Sequence, residues 1–106
     1  MPGKKSGGFC CKIYRQSSEI LVAICDAELV GKEFIEKDFR LFVDEKFYKD
    51  KTCGEEEAKR LFGEATMLNL VGQRTVRIAI EEGLVDEKNT ITIQGIPHAQ
   101  SVILKQ

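Results

Sequence analysis

Apolar and polar positions along the chain fall into short blocks whose period changes from that of a strand to that of a helix and back. In FCCKIY (9–14), Phe9, Cys11 and Ile13 alternate with Cys10, Lys12 and Tyr14, so a strand with two different faces is expected. RQSS turns the chain. EILVAICD (19–26) is then apolar on both faces, which predicts a central strand joined to the first as a β-hairpin. In residues 27–38, Leu29, Val30, Phe34 and Ile35 have near-helical spacing, but Gly31 interrupts it, and the segment reads as a loop with a short turn. FRLFVDEKFY (39–48) alternates again, with Phe39, Leu41 and Val43 inward and a bulge expected near Asp44–Glu45.

The centre of the chain changes to helical period. Thr52-Cys53-Gly54-Glu55 fits a capping box, acids at 55–57 suit the positive end of a helix dipole, and Ala58, Leu61, Phe62 and Ala65 form one apolar stripe. TMLNLV (66–71) fits either an extension of that helix or a short buried strand, and is read as the strand. After Gly72, QRTVRIAIEE (73–82) predicts a second helix with Val76, Ala79 and Ile80 inward. Gly83 stands where a left-handed cap belongs and Leu84 supplies its apolar contact. TITIQ (90–94) and SVILK (101–105) alternate around Gly95-Ile96-Pro97-His98, which reads as the connection of a closing hairpin. The order ββ-β-α-β-α-ββ predicts a single α+β domain over 9–106, with a mixed or mostly antiparallel sheet and two helices, behind a flexible leader at 1–8.

Composition narrows the class. Apolar residues make up 42% of the 106-residue chain and charged residues 31%, a globular balance. No apolar run approaches the ~20 residues that cross a bilayer, so no membrane role is expected. MPGKKSGG is polar with no hydrophobic stretch behind it, unlike a secretory signal, and a cytoplasmic setting is expected. Cys10, Cys11, Cys25 and Cys53 should then remain reduced. They lack CxxC spacing, so neither a metal site nor a cofactor is expected. The net charge of −1 is unevenly spread: residues 1–18 carry four bases and no acid, and residues 19–57 carry twelve acids against six bases.

Three places could carry chemistry. The junction Gly72-Gln73-Arg74-Thr75 opens a helix, where free backbone amides and the dipole suit an anion and Arg74 and Thr75 would add donors; the P-loop and GxGxxG patterns are absent. His98 is the only histidine, and no local signature ties it to a nucleophile or an orienting carboxylate. It reads as a turn residue or a ligand contact, with no catalytic residue assigned. Lys4, Lys5, Lys12, Tyr14 and Arg15 set cations beside one aromatic, the chemistry of single-stranded RNA binding, without an RNP, KH or zinc-knuckle pattern.

The blocks ICDAELVGKEF (24–34), FVDEKFY (42–48), NLVGQRTVRIAIEEGLV (69–85) and GIPHAQ (95–100), in this order and spacing, resemble a small archaeal protein family described only as a domain of unknown function. The resemblance spans roughly residues 9–104. It implies a stand-alone cytoplasmic domain of an archaeon with no family catalytic residues, and it tilts the expectation toward translation. The leading expectation is a non-catalytic binding module whose partner is RNA or a ribonucleoprotein. The alternatives are an anion-binding or small-molecule domain or small enzyme built on Gly72–Thr75 and His98, and a protein-interaction domain using the acidic region 26–57.

Overall fold

The computed structural model describes residues 8–103. Strand β1 (Phe9–Gln16) and strand β2 (Glu19–Asp26) form the expected antiparallel hairpin, in register from Phe9 opposite Asp26 to Gln16 opposite Glu19. A 3-10 turn over Ala27–Leu29 leads to β3 (Glu33–Glu36) and β4 (Phe39–Phe42), a separate two-stranded sheet. The short helix α1 (Glu45–Tyr48), strand β5 (Lys51–Cys53) and helix α2 (Glu55–Glu64) follow. Strand β6 (Met67–Val71), helix α3 (Gln73–Glu81), β7 (Ile91–Ile93) and β8 (Ile96–Val102) complete the chain. The main sheet runs β5-β1-β2-β6-β8-β7. It is antiparallel except where β2 and β6 lie parallel, so the α+β class with a mixed sheet stands.

Alternation in the strands divides the sheet into two packed faces. Phe9, Cys11, Val22, Ile24, Leu68, Leu70 and Ala99 meet Leu61 and Phe62 of α2 and Val76 and Ala79 of α3 in one apolar cluster. On the reverse face, Cys10, Ala23, Cys25, Val71 and Ile93 pack against Leu41, Val43 and Tyr48 from the β3–β4 hairpin and α1. The stretch ILVAIC within β2 is apolar throughout because that strand is covered on both sides.

Several local expectations are corrected. Residues 27–38 hold the expected short turn over Ala27–Leu29 but are not otherwise a loop: Glu33–Glu36 form β3, because Phe34 opposite Leu41 gives that short strand an apolar face to bury. The strand expected over 39–48 ends at Phe42, and no bulge follows. Asp44 instead caps α1, its carboxylate accepting from the Lys46 amide at 2.9 Å. The Thr52 capping box does not form. Thr52 lies in β5 opposite Cys10, and Gly54 is the N-cap of α2 without a side-chain cap bond. The final connection is only Gln94-Gly95, both at positive φ, which joins β7 to β8 as a two-residue hairpin. Ile96, Pro97 and His98 therefore belong to β8 and not to a turn.

Elsewhere the reading agrees with the structure. Residues 67–71 are a strand, and α3 ends as expected: Gly83 adopts φ +77°, its amide bonds to Ile80, and the Leu84 amide bonds to Ala79. Among the described residues no helix is long and apolar enough to cross a membrane.

Candidate functional site

The start of α3 is occupied by the protein's own carboxylate. Asp26, at the end of β2 and 3% exposed, receives the Thr75 amide at 2.9 Å and the Thr75 hydroxyl at 2.8 Å on Oδ1. Its Oδ2 receives the Arg74 amide at 3.2 Å. Parallel pairing of β2 with β6 sets Cys25 beside Val71, so the next residues, Asp26 and Gly72, fall at the same end of the sheet. The carboxylate thus supplies the negative charge that the helix dipole attracts, and two amides that would receive an external anion are engaged.

Gly72 is fixed by the same contact. Its φ is +114°, and a Cβ built there would lie 2.4 Å from Asp26 Cγ. The Arg74 side chain reaches back across Asp26. It holds Glu28 through two nitrogens at 3.0 and 2.9 Å, donates to the Gly8 carbonyl at 2.7 Å and lies over the Phe9 ring. The guanidinium hydrogen bond holds the Glu28 carboxyl below its ordinary value, and Glu28 in turn raises Arg74. Gln73 donates to the Gly95 carbonyl at 3.3 Å.

His98 sits half-buried in β8, opposite both Val71 and Ile91. Its Nδ1 is 2.9 Å from the Leu70 carbonyl oxygen, and only the imidazole can donate in that pair, so the proton is on Nδ1. Gly72 and β8 are adjacent, since the Gly72 amide donates to the Pro97 carbonyl at 2.9 Å. The His98 ring nevertheless shares the reverse face with Val71, whereas α3 packs on the other face. The sheet therefore separates His98 from Arg74 and Thr75.

Of the basic and aromatic set, Lys4 and Lys5 lie outside the described residues. Lys12 donates to the Lys46 carbonyl at 2.9 Å and lies over the Tyr14 ring. Tyr14 donates to the Phe47 carbonyl at 2.8 Å and stacks on the Phe47 ring with centroids 5.2 Å apart. Arg15 is 3.8 Å from Glu64. Lys12 and Tyr14 share the face of β1 that meets α1, with one ring face already covered, whereas Arg15 lies on the opposite face toward Glu64 of α2, so the expected set is divided between two faces.

All four cysteines are buried free thiols. Interaction between the neighbouring Cys11 and Cys53 thiols holds Cys11 below its ordinary value and pushes Cys53 up, while burial pushes Cys25 up to about 12. Among the described residues no group of three or more His, Cys, Asp or Glu is placed to hold a metal ion.

Two features were not foreseen from the sequence. Asp26 and Thr75 are 49 residues apart, and only the parallel β2–β6 pairing joins them. The second is the outer surface of the β3–β4 hairpin. Phe34 and Leu41 face inward, and Ile35 and Phe42 face outward at 54% and 47% exposure; Phe39, expected to be buried, lies on the Leu41 side at the end of β4 and is 58% exposed because the core does not extend that far. The Arg40–Glu33 ion pair lies on the same face as Ile35 and Phe42. The signal for it was present, since 34–42 carries more large apolar residues than one buried face of a short hairpin can use.

The family model described as "Protein of unknown function (DUF424)" matches residues 14–104. In fold, the chain is similar to the crystal structure of an uncharacterized conserved protein from Methanopyrus kandleri. The two share 25% identity with a TM-score of 0.76, over 92% of this chain and 93% of that one. No curated protein matches. The chain belongs to the DUF424 family.

Proposed function

We propose that this member of the DUF424 family is a protein-binding module whose contact face is the β3–β4 hairpin, within the acidic region 26–57. One observation carries the reading: Ile35, Phe39 and Phe42 stand about half exposed on a hairpin already anchored by Phe34 and Leu41. Exposed aromatic and aliphatic side chains on a rigid element are what the centre of a protein interface is made of, and they contribute most when a partner removes them from water. Arg40 and Glu33 lie among them and suit a polar rim.

Of the basic and aromatic set that would meet a nucleic acid, Lys12 and Tyr14 lie on one face of β1 and Arg15 on the other. Each already has an internal contact, and this supports a protein partner over naked RNA. A protein component of a ribonucleoprotein remains within the proposal.

Affinity purification from native extract tests it with three baits: the wild type, Phe39→Ser with Phe42→Ser, and Lys12→Ala with Arg15→Ala. The expected result is a protein kept by the wild type and by the lysine–arginine variant and lost by the phenylalanine variant. A mobility shift with bulk tRNA or rRNA that falls steeply with salt and disappears in the lysine–arginine variant would overturn the reading in favour of RNA.

A further inference from the structure

The two outer strands of the main sheet are protected in the usual ways. Strand β5 is three residues long and carries Lys51, and β7 is three residues long and lies against the β3–β4 hairpin, with the Gln94 amide donating to Glu36 at 2.6 Å. Strand β8 is different. It is seven residues long, and β7 pairs only with Ile96, Pro97 and His98. On its other side β8 pairs with β6 up to Val102.

The alternation of the ladder decides where the remaining backbone groups point. The Ile103 amide donates to Thr66 and the Pro97 carbonyl accepts from Gly72, so odd-numbered residues turn their groups toward β6. Even-numbered residues face away: Ile96 and His98 meet Ile93 and Ile91, whereas Gln100 and Val102 meet no strand among the described residues. Both are exposed, Val102 to 68%, and neither lysine nor proline guards them. Pro97, the one proline of β8, points its nitrogen the other way.

Gln100 and Ser101 of this segment form one wall of a groove of about 680 Å³. The opposite wall is the loop from α3 to β7, which contributes Asp86, Glu87 and Asn89. The lining includes two carboxylates and no cation. The Ser101 hydroxyl donates to the Leu84 carbonyl at 2.9 Å and ties the loop to β8 at the floor of the groove.

We infer that the Gln100–Val102 edge of β8 accepts an extended basic segment of a partner protein, which adds to the sheet in line with β7 while its cationic side chains meet Asp86 and Glu87. The N–H and C=O groups of Gln100 and Val102 supply main-chain bonds that any sequence can make. The two carboxylates select for lysine or arginine, and the open apolar side chain of Val102 takes an aliphatic residue from the incoming strand. This surface is distinct from the exposed face of the β3–β4 hairpin and does not depend on it.

A capped eight-residue peptide of alternating lysine and valine is the probe, with the glutamate–valine peptide of the same length as its control. Both are titrated into the full chain while amide exchange is followed residue by residue. The expected result is slowed exchange at Gln100 and Val102 with the lysine peptide alone, and binding that weakens as salt rises. Asp86→Asn with Glu87→Gln should weaken it by about tenfold. Val102→Pro removes an outward amide without touching the β6 ladder, and should abolish protection at an unchanged melting temperature. Protection by both peptides equally, or none at either amide, overturns the inference. So does protection that rises with protein concentration in the absence of peptide, because a second copy would then be the occupant.

Discussion

Asp26 caps a helix that begins nearly fifty residues further along the chain: its Oδ1 takes both the amide and the hydroxyl of Thr75, at 2.9 and 2.8 Å. Replacing it by asparagine keeps one acceptor oxygen but turns an NH2 group toward donors. Asp26→Asn should therefore cost about 2–4 kcal/mol, and Thr75→Val, which loses only the hydroxyl, about 1 kcal/mol. Urea unfolding midpoints check both. Equal midpoints for Asp26→Asn and the wild type would show the cap to be dispensable.

Gly72 and Gly83 both have positive φ but different surroundings. A Cβ on Gly72 meets the Asp26 carboxylate at 2.4 to 2.7 Å, whereas one on Gly83 meets nothing within 4 Å. Gly83→Ala should cost about 1 kcal/mol from backbone strain alone. Gly72→Ala adds displacement of the cap and should cost ~3 kcal/mol or more. A Gly72→Ala protein as stable as Gly83→Ala would contradict the close approach.

The Arg74–Glu28 clasp sets one pH dependence. The folded-state carboxyl of Glu28 titrates below its ordinary 4.5, with the Arg74 hydrogen bond as the main cause. Its contribution is therefore fully present above the unfolded value and is lost as pH falls through the lower folded one. Glu28 is largely exposed, so the effect is small. Stability measured from pH 6 to pH 3 should fall less steeply in Glu28→Gln than in the wild type. A steeper fall in the variant reverses the sign.

The thiols offer a chemical test of the core. All four are buried: burial pushes Cys25 up to about 12, and Cys11, although held below its ordinary value, is fully enclosed, so a reagent reaches neither in the folded chain. A thiol-reactive disulfide dye should label the native protein slowly and titrate four groups per chain in urea. Rapid labelling of Cys25 in the native state would place β2 outside the core.

The hairpin separates stability from recognition. Leu41 faces the core at 7% exposure, so Leu41→Ala should cost ~2–4 kcal/mol. Phe39→Ser, at the exposed end of β4, should stay within about 0.5 kcal/mol of the wild type. Thermal unfolding of both proteins is the measurement, and a large loss in Phe39→Ser would mark that ring as part of the packing.

Much of the fold could be read along the chain. The two-sided pattern of FCCKIY, the wholly apolar ILVAIC and the stripe Ala58–Leu61–Phe62 each report how many faces their element buries. Gly83 was legible as a cap because a left-handed residue after a helix is a local requirement. Shorter elements misled. EFIE has too few residues to show a period, and Thr52 had every local mark of a helix cap. Pairing with Cys10 in β1 claimed Thr52 instead, since ladder bonds outweigh a single capping bond.

The candidate site shows the same division. Gly72 opening a helix was visible as an anion-attracting terminus, but the anion itself, Asp26, comes from another strand. Likewise Tyr14 was visible as an aromatic among cations, while the ring that covers it, Phe47, belongs to a helix hidden in what read as a strand.

By itself, then, the sequence determined which residues prefer burial and where the chain must turn, because hydrophobic period and glycine conformation act over a few neighbours. Only the tertiary structure decided that Asp26 fills the α3 terminus, that the sheet divides His98 from Arg74, and that β8 outruns β7. Those facts depend on the register and order of strands far apart in the chain, and nothing local encodes which strand end will meet which helix.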